Sequence, residues 1–355
     1  MFLIKLLKQS YGKCRISRMK KHVVNLHHDI LDYKLENVSD MRKYGFSMSE
    51  SSLYNLNEKN YKDYISTWEA FQPRILDSKY FAISDDKYLF SLVFGQYVKV
   101  AETFALINNG KILSLCPRLN PEKLYEFIIK NNGAVIKDRC GCDGFDVYVF
   151  NVINKQVYYK SNLIDEDRLI EIVSSFKNGI IQDKLVQGDF ENKIFDKSIN
   201  TIRIISMRKK GEAKHEIVAA LQRIGNNQSA PVDNFNQGGY SALIDLETGE
   251  LGTATGMMAV DENGHRIFYE NHPDTNSQIK GLKIPNWIEI KNTICELTEK
   301  IPFFEFIAWD IVVLNDGMAV IETNMKSSLN VFQIHGGLRN KNLGKKFKEH
   351  GYITE

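Results

Sequence analysis

The sequence has little of what several protein classes need. Its five cysteines are few, odd in number and scattered over 355 residues, which argues against a disulfide framework and indicates reduced thiols in a cytosol. No apolar run approaches the roughly 18 residues of a membrane-spanning helix. The net charge of +2 gives no overall case for nucleic-acid binding. The remaining composition, 43% hydrophobic and 25% charged, is that of an ordinary globular protein of two or three domains.

The N-terminal residues depart from this even charge balance. Residues 1–22 hold seven basic side chains and no acidic one. The apolar stretch MFLIKLL is too short for the apolar region of a signal peptide, and no small-residue cleavage site follows it. A solvated basic arm is the commoner explanation of such a run, and loose attachment to an anionic membrane surface is the alternative. We therefore expect a cytoplasmic protein, with the inner membrane surface as the second option.

The order of predicted elements indicates a mixed α+β chain. Residues 1–80 read as helical and polar, and a helix start is predicted at residues 84–87. Strand pairs are predicted around 104–115 and 134–150, helices at 121–131, 166–177 and 286–299, and a β-rich region from Thr201 onward. These patterns suggest an N-terminal region of residues 1–103, a small α+β domain of residues 104–185 and a larger sheet domain of residues 186–355.

The stretch 303–324, FFEFIAWDIVVLNDGMAVIETN, is the most informative part of the chain. It predicts a β-hairpin closed by a three-residue loop, Asn315–Gly317, that pairs residue 314 with 318. This register sets Asp310 opposite Glu322, with Asn324 on the same face. Two facing carboxylates repel each other unless they share a cation, and oxygen ligands of this kind suit Mg²⁺. The spacing favours a metal site over a pair of solvated acids.

Three further segments can carry chemistry, although each has an ordinary structural explanation. The loop after Lys137 contains Gly141 and Gly144, which would let backbone N–H groups approach phosphate oxygens, but most glycine-containing hairpins are only hairpins. The apolar strand at 180–186 ends in polar residues and could present its backbone to an adenine. Arg203 alternates with Ile residues, so it needs either a salt-bridge partner or an anionic ligand. The sequence leaves that choice open.

Two other patterns predict no metal site. Cys140 and Cys142 lack partners at zinc-ligand spacing. His27, His28 and Asp29 have no further ligand at a useful distance along the chain.

Taken in order, six segments resemble the ATP-grasp superfamily, and most closely its sugar-transfer-associated branch from bacterial polysaccharide genes. They are IKDRCGCDGF, IIQDKLVQGD, SINTIRI, VDNFNQGGYSALIDLETGEL, HPDT with IKGLKIPNW, and IAWDIVVLNDGMAVIETN. The resemblance extends from about residue 80 to 340. It implies an α+β ATP-grasp fold, in which a helical or mixed N-terminal part, a small lid and a larger C-terminal sheet surround ATP and Mg²⁺.

The resemblance also implies roles for individual residues. Arg203 and Lys137 would be catalytic, and Asp310, Glu322 and Asn324 would bind one or two Mg²⁺ ions. ATP would be held by Lys87, Lys137, Gly141, Gly144, Gln182, Asp183, Lys184 and Leu185. Substrate would contact Asn200, Asn236, Gly238, Gly239, His272 and Lys326. The chain departs from the family pattern at Ala308, where many of these ligases have an arginine, and in its cysteine-containing glycine loop.

The activity implied is that of an ATP-dependent carboxylate–amine ligase that forms an amide through an acylphosphate. A sugar acid or amino sugar of a capsule or surface polysaccharide would be the substrate, and the partners would be small molecules, not nucleic acid. Two alternatives stay open: a kinase acting on a single sugar-type acceptor, and a non-catalytic nucleotide-binding partner of a glycosyltransferase. The sequence does not give the oligomeric state.

Overall fold

The computed structural model describes residues 17–25, 39–141, 144, 146–325 and 327–353. The chain forms two compact units, one from Met1–Ser78 together with Lys326–Glu355 and the other from Lys79–Met325. Both predicted domain borders, at 103–104 and 185–186, fall inside the second unit. The C-terminal residues belong with the N-terminal ones because Gln333 exchanges hydrogen bonds with the backbone of Ile65, and Arg339 pairs with Glu69 at 2.7 Å.

Most helices are short. In chain order they are α1 (17–25), α2 (Met48–Leu53), α3 (Thr67–Asp77), α4 (Phe81–Asp85), α5 (Lys87–Phe94), α6 (Leu124–Lys130), α7 (Glu166–Ser175), α8 (Asp189–Ile194), α9 (Trp287–Lys300), α10 (Asn330–Gln333) and α11 (Asn342–Glu349). None of the described helices combines the length and the apolar character needed to cross a membrane.

The described strands form two antiparallel sheets. They are β1 (Thr103–Asn108), β2 (Lys111–Ser114), β3 (Gly133–Asp138), β4 (Tyr148–Ile153), β5 (Gln156–Tyr159), β6 (Asn162–Ile164), β7 (Asn178–Gln182), β8 (Ile202–Arg208), β9 (His215–Ile224), β10 (Tyr240–Ile244), β11 (Leu251–Gly256), β12 (Phe306–Leu314) and β13 (Gly317–Asn324). The first sheet has the order β2-β1-β7-β3-β4-β5-β6, and the second has the order β11-β10-β9-β8-β12-β13.

The first sheet spans almost the same residues as the predicted small domain. Its core includes Phe104, Ile136 and Phe150 from the strands, each fully buried. Helix α7 contributes Leu169, Ile172 and Val173, whose i, i+3, i+4 spacing places them on one side of the helix. Strands β5 and β6 were not predicted, because Gln156–Ile164 is a short polar stretch with weak alternation.

The second sheet is built around strand β12, in which every residue is buried. A strand with neighbours on both sides and covered faces reads as a continuous apolar run, as IAWDIVV does apart from its aspartate. Trp309 packs edge-on against Phe94 of α5, with ring centroids 5.4 Å apart, and its indole N–H donates to Ser206. This packing fixes the strand that carries Asp310.

Candidate active site

The acidic hairpin pairs Asp310 with Glu322, as predicted, but its turn and its register near the turn differ from the prediction. The turn is one residue tighter than expected, so Leu314 pairs with Gly317 and not with residue 318. A bulge between Asp310 and Ile311 then shifts the register by one residue. Such a bulge leaves one residue of the longer strand unpaired and re-aims the side chains beyond it. The predicted three-residue loop is therefore wrong, while the facing pair of carboxylates is confirmed.

Asp310 lies between a carboxylate and a guanidinium on its two neighbouring strands. It is the register partner of Glu322 on β13 and of Arg203 on β8. Arg203 donates from Nε to Oδ1 at 2.7 Å and from Nη2 to Oδ2 at 2.5 Å. The planar fork of arginine makes this two-point bond to a carboxylate. The structure thus identifies Asp310 as the partner that the sequence left open for Arg203.

A second arginine, which the sequence did not single out, extends this cluster. Arg223, near the end of β9, donates from Nη1 to Asp310 Oδ2 at 3.0 Å and from Nη2 to Asp233 Oδ1 at 2.6 Å. The other oxygen of Asp233 accepts from the backbone N–H and the hydroxyl of Thr201, at 2.8 and 2.5 Å. Arg223, Asp233 and Asp310, which are buried, and Arg203, which is largely buried, therefore form one connected network.

Burial and charge act in opposite directions on this network. Burial raises the pKa of the Asp310 carboxyl, but the positive charges of Arg203 and Arg223 outweigh it, so the pKa lies below its ordinary value. Burial also raises the pKa of Asp233, and here Arg223 and Thr201 offset only part of the effect. Asp310 is consequently the firmly ionised member, and it stands beside the carboxylate of Glu322.

The oxygen atoms of Asp310, Glu322 and Asn324 suit a hard divalent cation, but Asp310 can contribute only part of its capacity. A carboxylate offers about four lone-pair directions, and the two arginines occupy three of those on Asp310. Asp310 can therefore supply one further oxygen direction beside Glu322 and Asn324, whose side chains are partly exposed. Among the described residues, no group of three His, Cys, Asp or Glu side chains converges as metal ligands would. Any Mg²⁺ at this hairpin would thus need oxygens from water or substrate to complete its shell.

Two lysines, Lys137 and Lys87, lie near each other, and Lys137 also interacts with Glu322 of the acidic hairpin. Burial and the positive charge of Lys87 lower the pKa of Lys137, at the end of β3, to about 8, while the negative charge of Glu322 raises it in part. A positive charge held this close disfavours the charged form of Lys137. An anion between them, such as a phosphate group, would remove the penalty, so the pair fits the predicted phosphate contacts.

Lys87 also fixes the glycine loop. Its Nζ donates to the carbonyl of Gly141 at 2.6 Å, and its backbone N–H donates to the carbonyl of Arg139 at 3.0 Å. Asp86 caps α5 through the N–H groups of Tyr88 and Leu89. The same carboxylate pairs with Arg139 at 2.9 Å. The start of α5 therefore clamps the loop that follows β3.

Gly144 brings this loop against the second glycine-rich segment. It has a φ of +70°, which disfavours side chains, and a Cβ placed there would lie 3.2 Å from the Gln237 side chain and 3.3 Å from that of Val232. The lid loop and the loop at residues 232–237 are thus in close contact. A larger residue at position 144 would have to push these two loops apart.

The predicted adenosine-binding residues at the end of β7 are tied into the first sheet. Gln182 is buried and donates to Thr103, and the Asp183 carboxylate accepts from Asn131 and from the N–H of Lys184. Lys184 reaches Asn151 at 2.8 Å, and Leu185 packs against the small apolar cluster of Val312, Leu314 and Ala319. Contact of these residues with a nucleotide stays a prediction.

The predicted substrate residues divide into two groups. Asn200 and His272 are buried and their side chains bond to protein: Asn200 to the carbonyl of Phe195 and the N–H of Gly225, and His272 to the carbonyl of Gly225. They support the loop and offer little to a ligand. Asn236 is exposed, and Gly238 and Gly239 follow it in the same loop. Lys326 lies outside the described residues, so its predicted role stays a prediction.

A buried acid lies behind the network. Glu191 of α8 is fully buried, and burial, reinforced by the negative charge of Asp233, raises its pKa well above the ordinary value. Gln222 donates to Glu191 Oε2 at 3.0 Å, while Glu191 Oε1 and Gln222 Oε1 have no hydrogen-bond partner. A proton on Glu191 would turn one of its acceptor oxygens into a donor in surroundings that stabilise no negative charge, which agrees with the raised pKa.

The sequence missed Arg223, Asp233 and Glu191 for a common reason. Arg223 lies near the end of β9, Asp233 lies in a loop and Glu191 lies inside the short helix α8, and no local spacing links one to another. Of the three, only Arg223 could have been noticed in the sequence, because it follows an apolar run in the way that Arg203 interrupts one. Their convergence depends on the pairing of β8 with β9 and on the pairing of β8 with β12, which comes much later in the chain.

Comparison with known proteins supports the resemblance. A family profile described as sugar-transfer associated ATP-grasp matches residues 67–348. The chain belongs to this family. A search of curated proteins finds no match to the sequence. The family match includes both sheets and the whole of the acidic hairpin.

Solved structures similar to this family member are distant in sequence. They include the ATP-grasp ligase PsnB complexed with minimal precursor, Mg and ADP (12% identity, TM-score 0.37, 72% of this chain and 54% of that one). A Chryseobacterium gregarium RiPP-associated ATP-grasp ligase has 16% identity and a TM-score of 0.37 over 77% and 58% of the two chains. D-alanine–D-alanine ligase from Bacillus anthracis has 12% identity and a TM-score of 0.35 over 76% and 70%. The matched part of this chain thus spans about half the length of PsnB.

Proposed function

We propose that this protein is an ATP-dependent carboxylate–amine ligase that forms an amide through an acylphosphate. The observation that carries the proposal is the arrangement of charge at one site: Asp310 faces Glu322 on the neighbouring strand, Glu322 interacts with Lys137, and Lys137 lies near Lys87. Acids that can hold Mg²⁺ and lysines that can hold phosphate are the two halves of a nucleotide-triphosphate site. Membership of a family named for ATP-grasp supports the same assignment.

In this proposal Glu322, Asn324 and one oxygen of Asp310 hold Mg²⁺, which would neutralise phosphate charge when bound. Lys87 and Lys137 hold the phosphates, and the loop from Gly141 to Gly144 covers them. Closure of this loop keeps water from an acylphosphate, which water would otherwise hydrolyse. Adenosine would lie at the end of β7, near Asp183.

The arginines would stabilise the reacting groups. Arg203 and Arg223 lie on the sheet face beside Asp310, so they place positive charge where an oxyanion would develop during attack of a carboxylate on the γ-phosphate. An amine then attacks the acyl carbon and phosphate leaves, which gives the amide, ADP and phosphate. Asp310 and Asp233 hold the guanidinium groups in place, so these groups need no reorganisation during the reaction.

The substrate class rests on the family description, sugar-transfer associated, and on no contact in the structure. We propose a sugar acid or amino sugar of a bacterial surface polysaccharide, joined to an amino acid or amino alcohol. Of the residues predicted to contact substrate, Asn236 is exposed and lies in the same loop as Gly238 and Gly239.

The test is ADP release from Mg²⁺-ATP with a panel of uronic acids, each with and without pooled amino acids and amino alcohols. Acids labelled with ¹⁸O in the carboxylate distinguish the reactions, because an acylphosphate route transfers one labelled oxygen to phosphate. We expect turnover that needs both substrates, labelled phosphate, and loss of both in Glu322→Gln. Glu247→Gln, the same change in an exposed turn, is the control and should keep full activity.

Other outcomes would contradict the ligase. Turnover with one acceptor and no labelled phosphate would identify a kinase. ATP binding without turnover on any substrate, with function in cells unaffected by Asp310→Asn, would identify a non-catalytic nucleotide-binding protein.

A further inference from the structure

Lys87 stands at a position that is unfavourable for a positive charge. It is the first residue of α5, and it is buried, at 8% exposure. The N-terminus of a helix carries a partial positive charge, so a cation in the first turn is disfavoured. Lys137 lies near it and adds a second cation. Other contacts must therefore hold the side chain of Lys87 where it is.

The carboxylate of Asp86 provides part of this hold. Its Oδ1 accepts from the N–H groups of Tyr88 and Leu89, at 2.9 and 3.2 Å, and so caps α5. Its Oδ2 lies 2.9 Å from Nη2 of Arg139. One carboxylate thus joins the first turn of α5 to the loop that follows β3. Its negative charge at the helix N-terminus also offsets the unfavourable position of Lys87.

The main chain of Arg139 completes the connection. Its carbonyl accepts from the N–H of Lys87 at 3.0 Å, and its own N–H donates to the carbonyl of Asn178, at the start of β7, at 2.9 Å. Two residues further on, the carbonyl of Gly141 accepts from Nζ of Lys87 at 2.6 Å. The main chain and the side chain of Lys87 are therefore both fixed relative to this loop.

The contact between Arg139 and Asp86 is poorly suited to a purely stabilising role. Its closest approach joins Nη2 to Oδ2, and the other carboxylate oxygen is taken by the helix cap. Nε of Arg139 is buried and has no hydrogen-bond partner among the described residues. A buried donor without an acceptor costs free energy, which offsets what the ion pair contributes. The main effect of the pair is then geometric, because it fixes the loop against the start of α5.

We propose that Asp86 and Arg139 are a positioning pair that holds Lys87 ready to bind the phosphates of a nucleotide. This inference rests on the proposed function, which assigns the phosphate contact to Lys87. Neither member of the pair has to touch the nucleotide. The bond to Gly141 uses one of the three N–H donors of the lysine, so a phosphate oxygen can take another while the loop stays in place. A cation that is already in position binds more tightly, because less ordering remains to be done on binding.

The test is equilibrium binding of ATP and of adenosine to the full chain, with Mg²⁺ present, in Asp86→Asn and in Arg139→Gln. Asparagine caps helices about as well as aspartate, so the first variant keeps the cap and the fold but loses the ion pair. We expect each variant to weaken ATP binding by about tenfold and to leave adenosine binding unchanged, because the pair acts on the phosphate contact alone.

The two variants change the net charge in opposite directions, which separates positioning from long-range attraction. Removing an acid should strengthen the binding of an anion through space, whereas removing a cation should weaken it. Loss of the pair should weaken ATP binding in both. The double variant should bind ATP no more weakly than either single one, since both remove the same contact. Arg139→Lys, which keeps a cation opposite Asp86, should recover most of the affinity.

The matched control is Arg168→Gln, which breaks an exposed ion pair with Glu171 on α7 and should bind ATP as the wild type does. Stronger ATP binding in Asp86→Asn, additive losses in the double variant, or equal loss of ATP and adenosine would overturn the positioning role. Wild-type ATP binding that neither variant alters would overturn this inference alone and leave the proposed function standing. A folded wild-type chain that binds no ATP would contradict both.

Discussion

The replacement Asp310→Asn tests whether Asp310 serves the folded protein as well as a metal. Were Asp310 only a metal ligand facing Glu322, removing its charge would relieve repulsion and stabilise the metal-free protein. The structure gives Asp310 another task, since it accepts three hydrogen bonds from two buried guanidinium groups. An amide nitrogen in place of one oxygen cannot accept them, and the arginines keep their charge.

The magnitude follows from the cost of leaving buried charge without its partner. Breaking a buried ion pair by removing one member costs about 3–5 kcal/mol. For the unit of residues 79–325, the unfolding entropy per residue converts this into a fall in melting temperature of about 6–10 °C. We therefore expect Asp310→Asn to lose about this much stability in EDTA, with no nucleotide or Mg²⁺ present.

Glu322→Gln is the matched comparison. It removes a carboxylate from the same predicted metal site, but Glu322 has no ion pair in the described structure, so its replacement should change the free energy of unfolding by less than about 1 kcal/mol. Thermal and urea denaturation of both variants in EDTA measure the difference. Equal stability of the two variants, or a more stable Asp310→Asn, would refute the reasoning that Asp310 anchors the arginine network.

Three further expectations concern neighbouring groups. The pKa of Lys137 falls to about 8 in the folded protein, so the unfolded chain binds more protons above that pH and the free energy of unfolding rises toward pH 10.5. In Lys137→Met, urea unfolding should show this rise reduced by about 3 kcal/mol. An unchanged rise would contradict the expectation. Glu191→Gln should be at least as stable as wild type at pH 7.5, because it removes a buried acid whose raised pKa makes stability fall as pH rises. A loss above about 2 kcal/mol in the same assay would count against it. Arg223→Lys cannot bridge two carboxylates, so ADP release should fall about 100-fold, and near-normal turnover would exclude a role for the bridge.

The acidic hairpin illustrates how much local pattern could predict. Two apolar runs around Asn315-Asp316-Gly317 were enough to place two strands and to set Asp310 opposite Glu322. The turn length and the bulge were not predictable, because each shifts the register by one residue and the two shifts cancel. Alternation of apolar residues tells which side chains share a face, but it does not reveal an extra residue between two correctly paired segments.

The N-cap of α5 shows a similar limit. Asp86 and Lys87 were predicted to begin a helix, and they do. The bond from Lys87 to Gly141 and the ion pair from Asp86 to Arg139 join residues more than 50 positions apart. Local propensity carries no information about such contacts, which form only when the first sheet brings its loop to the helix.

The sequence by itself determined the α+β character, the family, and the polar residues placed inside apolar strands. Burying an aspartate or an arginine in a strand is costly enough that each such residue implies a partner. The tertiary structure decided which partners meet: Asp310 with Arg203 and Arg223, and Arg223 with Asp233. For the pairs with Asp310, it decided this because β12 joins β8 from a distant part of the chain, and the hydrogen-bond register of the sheet then fixes which charges lie side by side.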